Sequence, residues 1–584
     1  MRKSNDIVKF VLSAAILIVI ALVLSFKFFK LDLTEENRHS LTDQTIETLA
    51  NLEERIFFKV YLTGNIPSEY KKLEKAIEEK LDEFRDYSGD RIEYEFINPY
   101  ISDNENENNK FWEKLYDGGV KFSNIEYRES GVKQDLVLFP GAFMNYKGID
   151  YPINFLKSSS KSGAGQDMVN ASITNLEYEL ISKISQHTRD EKPKIGILKG
   201  HGELMDVQLA SIQQSLREFY LMERVSLDEN INALSEKLPA KKSRNLLYDA
   251  IIVAKPTKRF SKKDQFVLDQ YVMNGGKVMW LIDPMAADLD SLVNGEQAMS
   301  VPLNLGLENM LFDYGVRINN DLIIDYNCAP LEVDGGPMGD KRKKMLVPWF
   351  YSPRLFVDSV LEPYHPINKN LNNIIAEFAS SIDTIQNDVT KTVLLTSSEV
   401  SRRLKSPVRI NINIAQFGFE YFDNKATLNS HSPIAVLLEG EFSSAFRNRG
   451  VSDTIINSAD IAYKDVSVPN AMVVISDGDI IRNDLYPGEN GYEPFPLGFD
   501  PIQRVIAYDN TEFLMNCMNH LLNDNAVISL RTRTFKSRLL NKAKVEQNET
   551  LLKFLNVGLP ILIVGVFGVL TFIIRKRKYS KTAA

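Results

Sequence analysis

Two uncharged apolar runs, one near each end, constrain this chain more than any other feature. Phe10 to Phe26 reads FVLSAAILIVIALVLSF, and Phe554 to Ile574 reads FLNVGLPILIVGVFGVLTFII. Extended back to Ile7, with Lys9 free to snorkel, the first spans residues 7–26, long enough for a hydrocarbon core of about 30 Å. A cleaved leader would also use Arg2 and Lys3. The run is long for that role, however, and Lys27-Phe28-Phe29-Lys30 is not a small-x-small cleavage site. The expectation is an uncleaved anchor at 7–26 and a second span at 554–574, in which Pro560 can introduce a kink.

The positions of the bases set the expected orientation. Arg2, Lys3 and Lys9 oppose only Asp6, while Arg575, Lys576, Arg577, Lys578 and Lys581 meet no acid. The tails are therefore +2 and +5 in a chain of net −8, which leaves −15 between them. Short tails 1–6 and 575–584 are expected in the cytoplasm, with the long acidic body outside. That balance argues against nucleic acid as a partner. Two cysteines in 584 residues exclude a disulfide framework and a cysteine-based zinc cluster. Neither a metal nor a cofactor is expected.

Within the body, residues 33–190 read as a first α/β domain. IFFKVYL (Ile56–Leu62), a helix from Pro67 to Tyr87 and RIEYEFI (Arg91–Ile97) form a βαβ unit. That opening resembles a thioredoxin-like half, without the cysteines of redox chemistry. KSSSKSGAGQ (157–166) is a loop without the G-K-[ST] ending of a phosphate loop, and Met168–His187 is a connecting helix. Residues 191–526 read as a second domain of alternating strands and helices, hence a mostly parallel, doubly wound sheet. Its strands are KIGIL, DAIIVA, KVMWLI, DLIID, Thr392–Leu395, Ile434–Leu438 and Met472–Ile475. Leu331–Pro353, with Lys341-Arg342-Lys343-Lys344 beside Trp349, Phe350 and Tyr351, reads as an exposed excursion. A solvated loop or a contact to headgroups or a partner both suit it. Residues 527–553 carry Arg531, Arg533, Lys536 and Arg538 back toward the lipid, where anionic headgroups or a permease are natural partners.

In an open α/β sheet, ligands bind beyond the carboxyl ends of the strands. Gly200-His201-Gly202-Glu203 follows KIGIL there, and Asp477, Asp479, Asn483 and Asp484 follow the Met472–Ile475 strand. The first group either lines a ligand crevice or makes a tight strand-to-helix turn. The second either holds a cation or forms a solvated turn with a helix cap, and its spacing is not that of a calcium loop. Catalysis lacks a nucleophile. Lys255-Pro256-Thr257-Lys258 follows DAIIVA, Ser476 has no G-x-S-x-G elbow, and Cys517 sits among apolar helix residues. Whether Cys328 and Cys517 pair is open at this level.

KIGILKGHGE, DAIIVAKPT, NGGKVMWLIDP and VVISDGDIIRND, in that order between terminal spans, resemble the GldG family. That family is the auxiliary, substrate-binding-type component of the gliding-motility ABC transporter of Bacteroidetes. The resemblance implies a class I amidotransferase-like second domain, and the residues after its strands lack the nucleophile of that chemistry. It also implies a multi-span permease and a cytoplasmic ATPase as partners, and a role in gliding and its linked secretion. The expected protein is a non-enzymatic two-pass subunit of the bacterial inner membrane. Its two extracytoplasmic α/β domains would couple the permease to an outer solute or protein. A solute-binding protein with ligand near His201 and Asp479, or a membrane-anchored hydrolase, are the rivals.

Overall fold

The computed structural model describes residues 41–522, apart from short stretches of which 448–460 is the longest, and 558–580, with isolated positions besides. Apart from Leu12, the expected span at 7–26, with Arg2 and Lys3, lies outside the described residues, as do Arg531, Arg533, Lys536 and Arg538. The chain divides into a body, Met1–Thr534, and a tail unit, Phe535–Ala584.

In the tail unit one helix, Leu559–Ser580, continues through Arg575, Lys576, Arg577 and Lys578. Leu559–Arg577 has mean hydropathy 2.0 and no part of it is buried, and among the described residues it alone is long and apolar enough to cross a membrane. Pro560 stands where π-helical positions at Asn556 and Gly558 give way to the regular α-helix.

The body opens with α1 (Asp43–Ala50), capped by the Thr42 hydroxyl. Then come β1 (Ile56–Val60), α2 (Ser68–Ser88), β2 (Ile92–Phe96) and α3 (Glu105–Asp117). The hairpin of β3 (Ser123–Glu129) and β4 (Val132–Leu138) precedes β5 (Gly141–Tyr146), β6 (Ile149–Asn154) and α4 (Gly165–Thr188). The sheet order is β2-β1-β5-β6, with β1 and β2 parallel and the other pairs antiparallel. Tyr70, Leu73, Ile77, Leu81 and Phe84 recur at helical spacing and bury one face of α2 against that sheet. Lys183 and Gln186 of α4 meet Glu218 of the following region.

A seven-stranded sheet follows. Its strands are β7 (Lys194–Lys199), β8 (Leu221–Ser226), β9 (Ala250–Ala254), β10 (Lys277–Leu281), β14 (Thr390–Thr396), β16 (Pro433–Gly440) and β17 (Asn470–Ile475). The spatial order is β14-β16-β17-β10-β9-β7-β8. From β8 to β17 all pairs are parallel, and β16 and β14 add antiparallel pairs at one edge. Alternate residues face opposite sides. Ile195, Ile252, Leu281 and Val473 pack with α5 (Ala210–Arg217) and α8 (Asn510–Leu521). Leu198, Val253, Trp280 and Val474 pack with α6 (Lys262–Met273) and α7 (Glu308–Tyr314). Burial on both faces explains why these strands read as unbroken apolar runs.

Two expectations need correction. Asp321–Asp325 (β11) is a strand, but it pairs with Ser401–Lys405 (β15) outside the main sheet. Leu331–Pro353 is no loose excursion: it belongs to a long hairpin, β12 (Cys328–Met338) with β13 (Lys341–Leu355). Trp349, Phe350 and Tyr351 are at most 2% exposed and form a core with Leu322, Ile324 and Phe378. They are closed to headgroups. The basic run stands at the hairpin's far end, where Lys344 pairs with Glu332.

Candidate functional site

At the carboxyl rim of the parallel strands, the turn after β7 needs its glycines. Gly200 and Gly202 have φ of +116° and +77°, and a Cβ on Gly202 would lie 2.1 Å from the Thr257 hydroxyl. The His201 carbonyl accepts from the N–H of Thr257 (2.9 Å) and of Lys258 (2.7 Å), and Leu204 N–H donates to Ala254 O. The β7 and β9 turns are thus bonded to each other, across the point where the strand order reverses.

His201 is held on every side. Its N–H donates to Glu203 Oε2 at 2.7 Å. Its ring nitrogens lie 3.3 Å from Glu203 Oε1 and from Asp264 Oδ2. The ring stacks on Phe260 at 3.8 Å. Burial pulls its pKa down, but the bonds to Glu203 and Asp264 outweigh that and raise it. Asp264 also accepts from the Ser261 hydroxyl that caps α6. The Gly200–Glu203 segment is therefore a built turn with its polar groups turned inward.

A second constellation sits beside it. Lys255, Asp283 and Asp477 each follow the buried end of β9, β10 or β17. Lys255 Nζ lies 3.1 Å from Asp283 Oδ2 and also pairs with Asp479. Asp283 accepts from Gly478 N–H, and Asp477 from the N–H of Glu377 and of Asp479. Arg482 reaches Glu377 at 3.0 Å and Asp479 at 3.1 Å. Burial pushes Asp283 up to about 6 against the pull of Lys255. Burial and then the Asp479 charge push Glu377 up to about 7, and burial drives Asp477 well above the carboxylate range. Burial alone would lower Lys255; the two carboxylates raise it instead.

Asp477 and Asp479 thus meet in one cluster. Asn483 does not: its amide donates to Val207 O and accepts from Ser211 N–H, fastening the chain to α5. Asp484 is exposed and, with Glu377, Asp479, Arg482, Trp349 and Tyr508, lines a cavity of about 340 Å³. A larger groove of about 650 Å³ runs along α5 and β8, but there Asp206 and Arg224 bond to each other. Sequence reading missed Lys255, Asp283, Glu377 and Arg482 as members of a site. A usable signal for the first two was a charged residue placed directly after a fully apolar strand, repeated on neighbouring strands.

The possible nucleophiles are engaged. The Ser476 hydroxyl donates to Ser380 O at 2.6 Å and also meets Ile434 O. Cys517 is fully buried in α8, and burial pushes the Cys328 thiol up to about 11. The two cysteines are unpaired and lie in different cores.

Fold and site define an α/β protein with an inward-turned strand rim and, among the described residues, one helix long and apolar enough to cross a membrane. The family described as ABC-type uncharacterized transport system matches residues 192–517, more than half of the chain, and the chain belongs to that family. A domain of unknown function matches residues 35–145. An uncharacterized protein of Borreliella burgdorferi is 22% identical over 588 residues, covering 99% of each chain. The solved mmIFT52 N-terminal domain is similar at TM-score 0.30 and 12% identity, over 56% of this chain and 97% of that one.

Proposed function

We propose that the chain is a non-enzymatic accessory subunit of an ABC transporter. Its body couples a multi-span permease and its ATPase to an extracytoplasmic solute or protein. Membership in an ABC-type transport family supports the transporter role. The observation that carries the non-enzymatic part is the occupied strand rim. His201, Glu203 and Ser476, the rim groups that could have served a hydrolase, spend their polar atoms on the fold itself. The two-pass topology, with both tails cytoplasmic, rests on the basic tails flanking the apolar runs. The amidotransferase-like character of the second domain and the service of gliding and linked secretion rest on the ordered motifs of the sequence.

Solute binding is the second reading, and the cavity beside Glu377, Asp479 and Arg482 favours it over the His201 turn. The test is purification of the full chain from its own membranes in mild detergent, followed by mass spectrometry. A multi-span permease and an ATPase in stoichiometric amount are expected. Recovery of the chain without either would overturn the proposal.

A further inference from the structure

On the opposite rim of the main sheet, far from the Asp477 cluster, three side chains converge from three separate elements. His365 precedes the short 3-10 turn Pro366–Asn368, Glu439 is next to last in β16, and His520 lies in the last turn of α8. Glu439 pairs with Ala471 at the start of β17, whereas Asp477 lies beyond its end. His520 Nε2 is 3.0 Å from Glu439 Oε1, and the two imidazole rings meet edge to face at 4.9 Å. One ligand atom from each residue lies within 4.8 Å of the others.

We infer that His365, Glu439 and His520 form a site for a divalent transition metal, Zn²⁺ in the first instance. Two imidazoles and one carboxylate are a donor set for such ions, and zinc bonds of about 2.0–2.1 Å place tetrahedral ligands about 3.3 Å apart. The His520–Glu439 edge, at 3.0 Å, is within about 0.3 Å of that length, and His365, whose ligand atom lies within 4.8 Å of the other two, must close in by up to about 1.5 Å. The ligands stand on held backbone. Asn516 of α8 donates to Ile367 O at 2.9 Å, and Asn368 donates to Leu394 O of β14, so the His365 turn is fastened to both helix and sheet. Competition for the His365 ring is weak, a 3.3 Å contact from Ile367 N–H. A cation here also suits the negative end of α8. All three side chains are partly exposed, so water can reach the ion and complete its shell. The ion would clamp the C-terminal end of α8 to the sheet.

The test uses the untagged full-length chain in detergent, stripped with a chelator and titrated with Zn²⁺ by calorimetry, with Co²⁺ as a visible-absorbing substitute. One ion per chain is expected, with visible Co²⁺ bands. His520→Ala and Glu439→Gln should each weaken Zn²⁺ binding at least ~100-fold, and His187→Ala should leave it unchanged. Zinc-edge X-ray absorption of the unaltered chain gives a readout that survives misfolding of the variants, with two imidazoles and oxygen expected around the metal. Absence of stoichiometric Zn²⁺ on the unaltered chain, unchanged affinity in both variants, or a sulfur-containing shell would overturn the inference. None of these outcomes bears on the transporter role, which the co-purification tests separately.

Discussion

Lys255→Met removes the one ammonium between Asp283 and Asp479 while keeping most of the apolar stem. At 3.1 Å and an effective dielectric of about 20, the Lys255–Asp283 attraction is gross about 5 kcal/mol. Part of that offsets desolvation of the ammonium, and loss of one partner from a buried pair costs about 3–5 kcal/mol net. The deficit should depend on pH. Asp283 is already raised to about 6 with Lys255 present, and without it the carboxyl holds its proton to higher pH still. Protonation then relieves the variant, so the deficit shrinks by about 1.4 kcal/mol per unit as pH falls from about 8 towards 6. The assay is urea unfolding of the full chain in detergent at both pH values. Fluorescence is read in a Trp112→Phe background, so that Trp280 and Trp349 report the region that holds the cluster. A variant within about 1 kcal/mol of the parent at pH 8, or a deficit that grows on acidification, would refute a buried ion-pair role for Lys255.

Asp283→Asn isolates one titration. A carboxyl raised from 3.8 to about 6 contributes stability that is complete below its unfolded pKa and is lost as pH rises through about 6. The parent should therefore lose up to ~3 kcal/mol relative to Asp283→Asn between about pH 4 and 6, read by matched unfolding curves; parallel curves would contradict it. His201→Ala should destabilise by about 1–3 kcal/mol. Because the folded His201 pKa is raised, that loss should be largest below the unfolded pKa and fade at alkaline pH. A pH-independent loss speaks against the paired imidazolium. Trp349→Ala should cost about 3–5 kcal/mol while leaving association with anionic vesicles unchanged; the reverse pattern would return Trp349 to the surface.

The main sheet was largely legible because each parallel strand is buried on both faces and announces itself as an apolar run bounded by turn residues. DAIIVA and KVMWLI are the clearest cases. The hairpin at 328–355 was not. Gly335-Gly336-Pro337 and the basic run resemble a loop, and Trp349 to Tyr351 are drawn inward only by partners such as Ile324 and Phe378. The site divides in the same way. The positions of His201 and Asp479 at strand ends follow from the alternation of elements, but whether their polar atoms face a ligand or the fold depends on Asp264, Phe260 and Lys255, remote in sequence. Glu439 and His520 stand 81 residues apart, and no spacing rule links them.

The most direct measurement is the ATPase turnover of the co-purified transporter in lipid nanodiscs, with and without this chain. The account predicts that removing it alters turnover, that adding back the full chain restores it, and that a His201→Ala/Ser476→Ala chain restores it equally once folded. Turnover indifferent to the chain, or restoration that requires those two side chains, would contradict a non-catalytic coupling subunit.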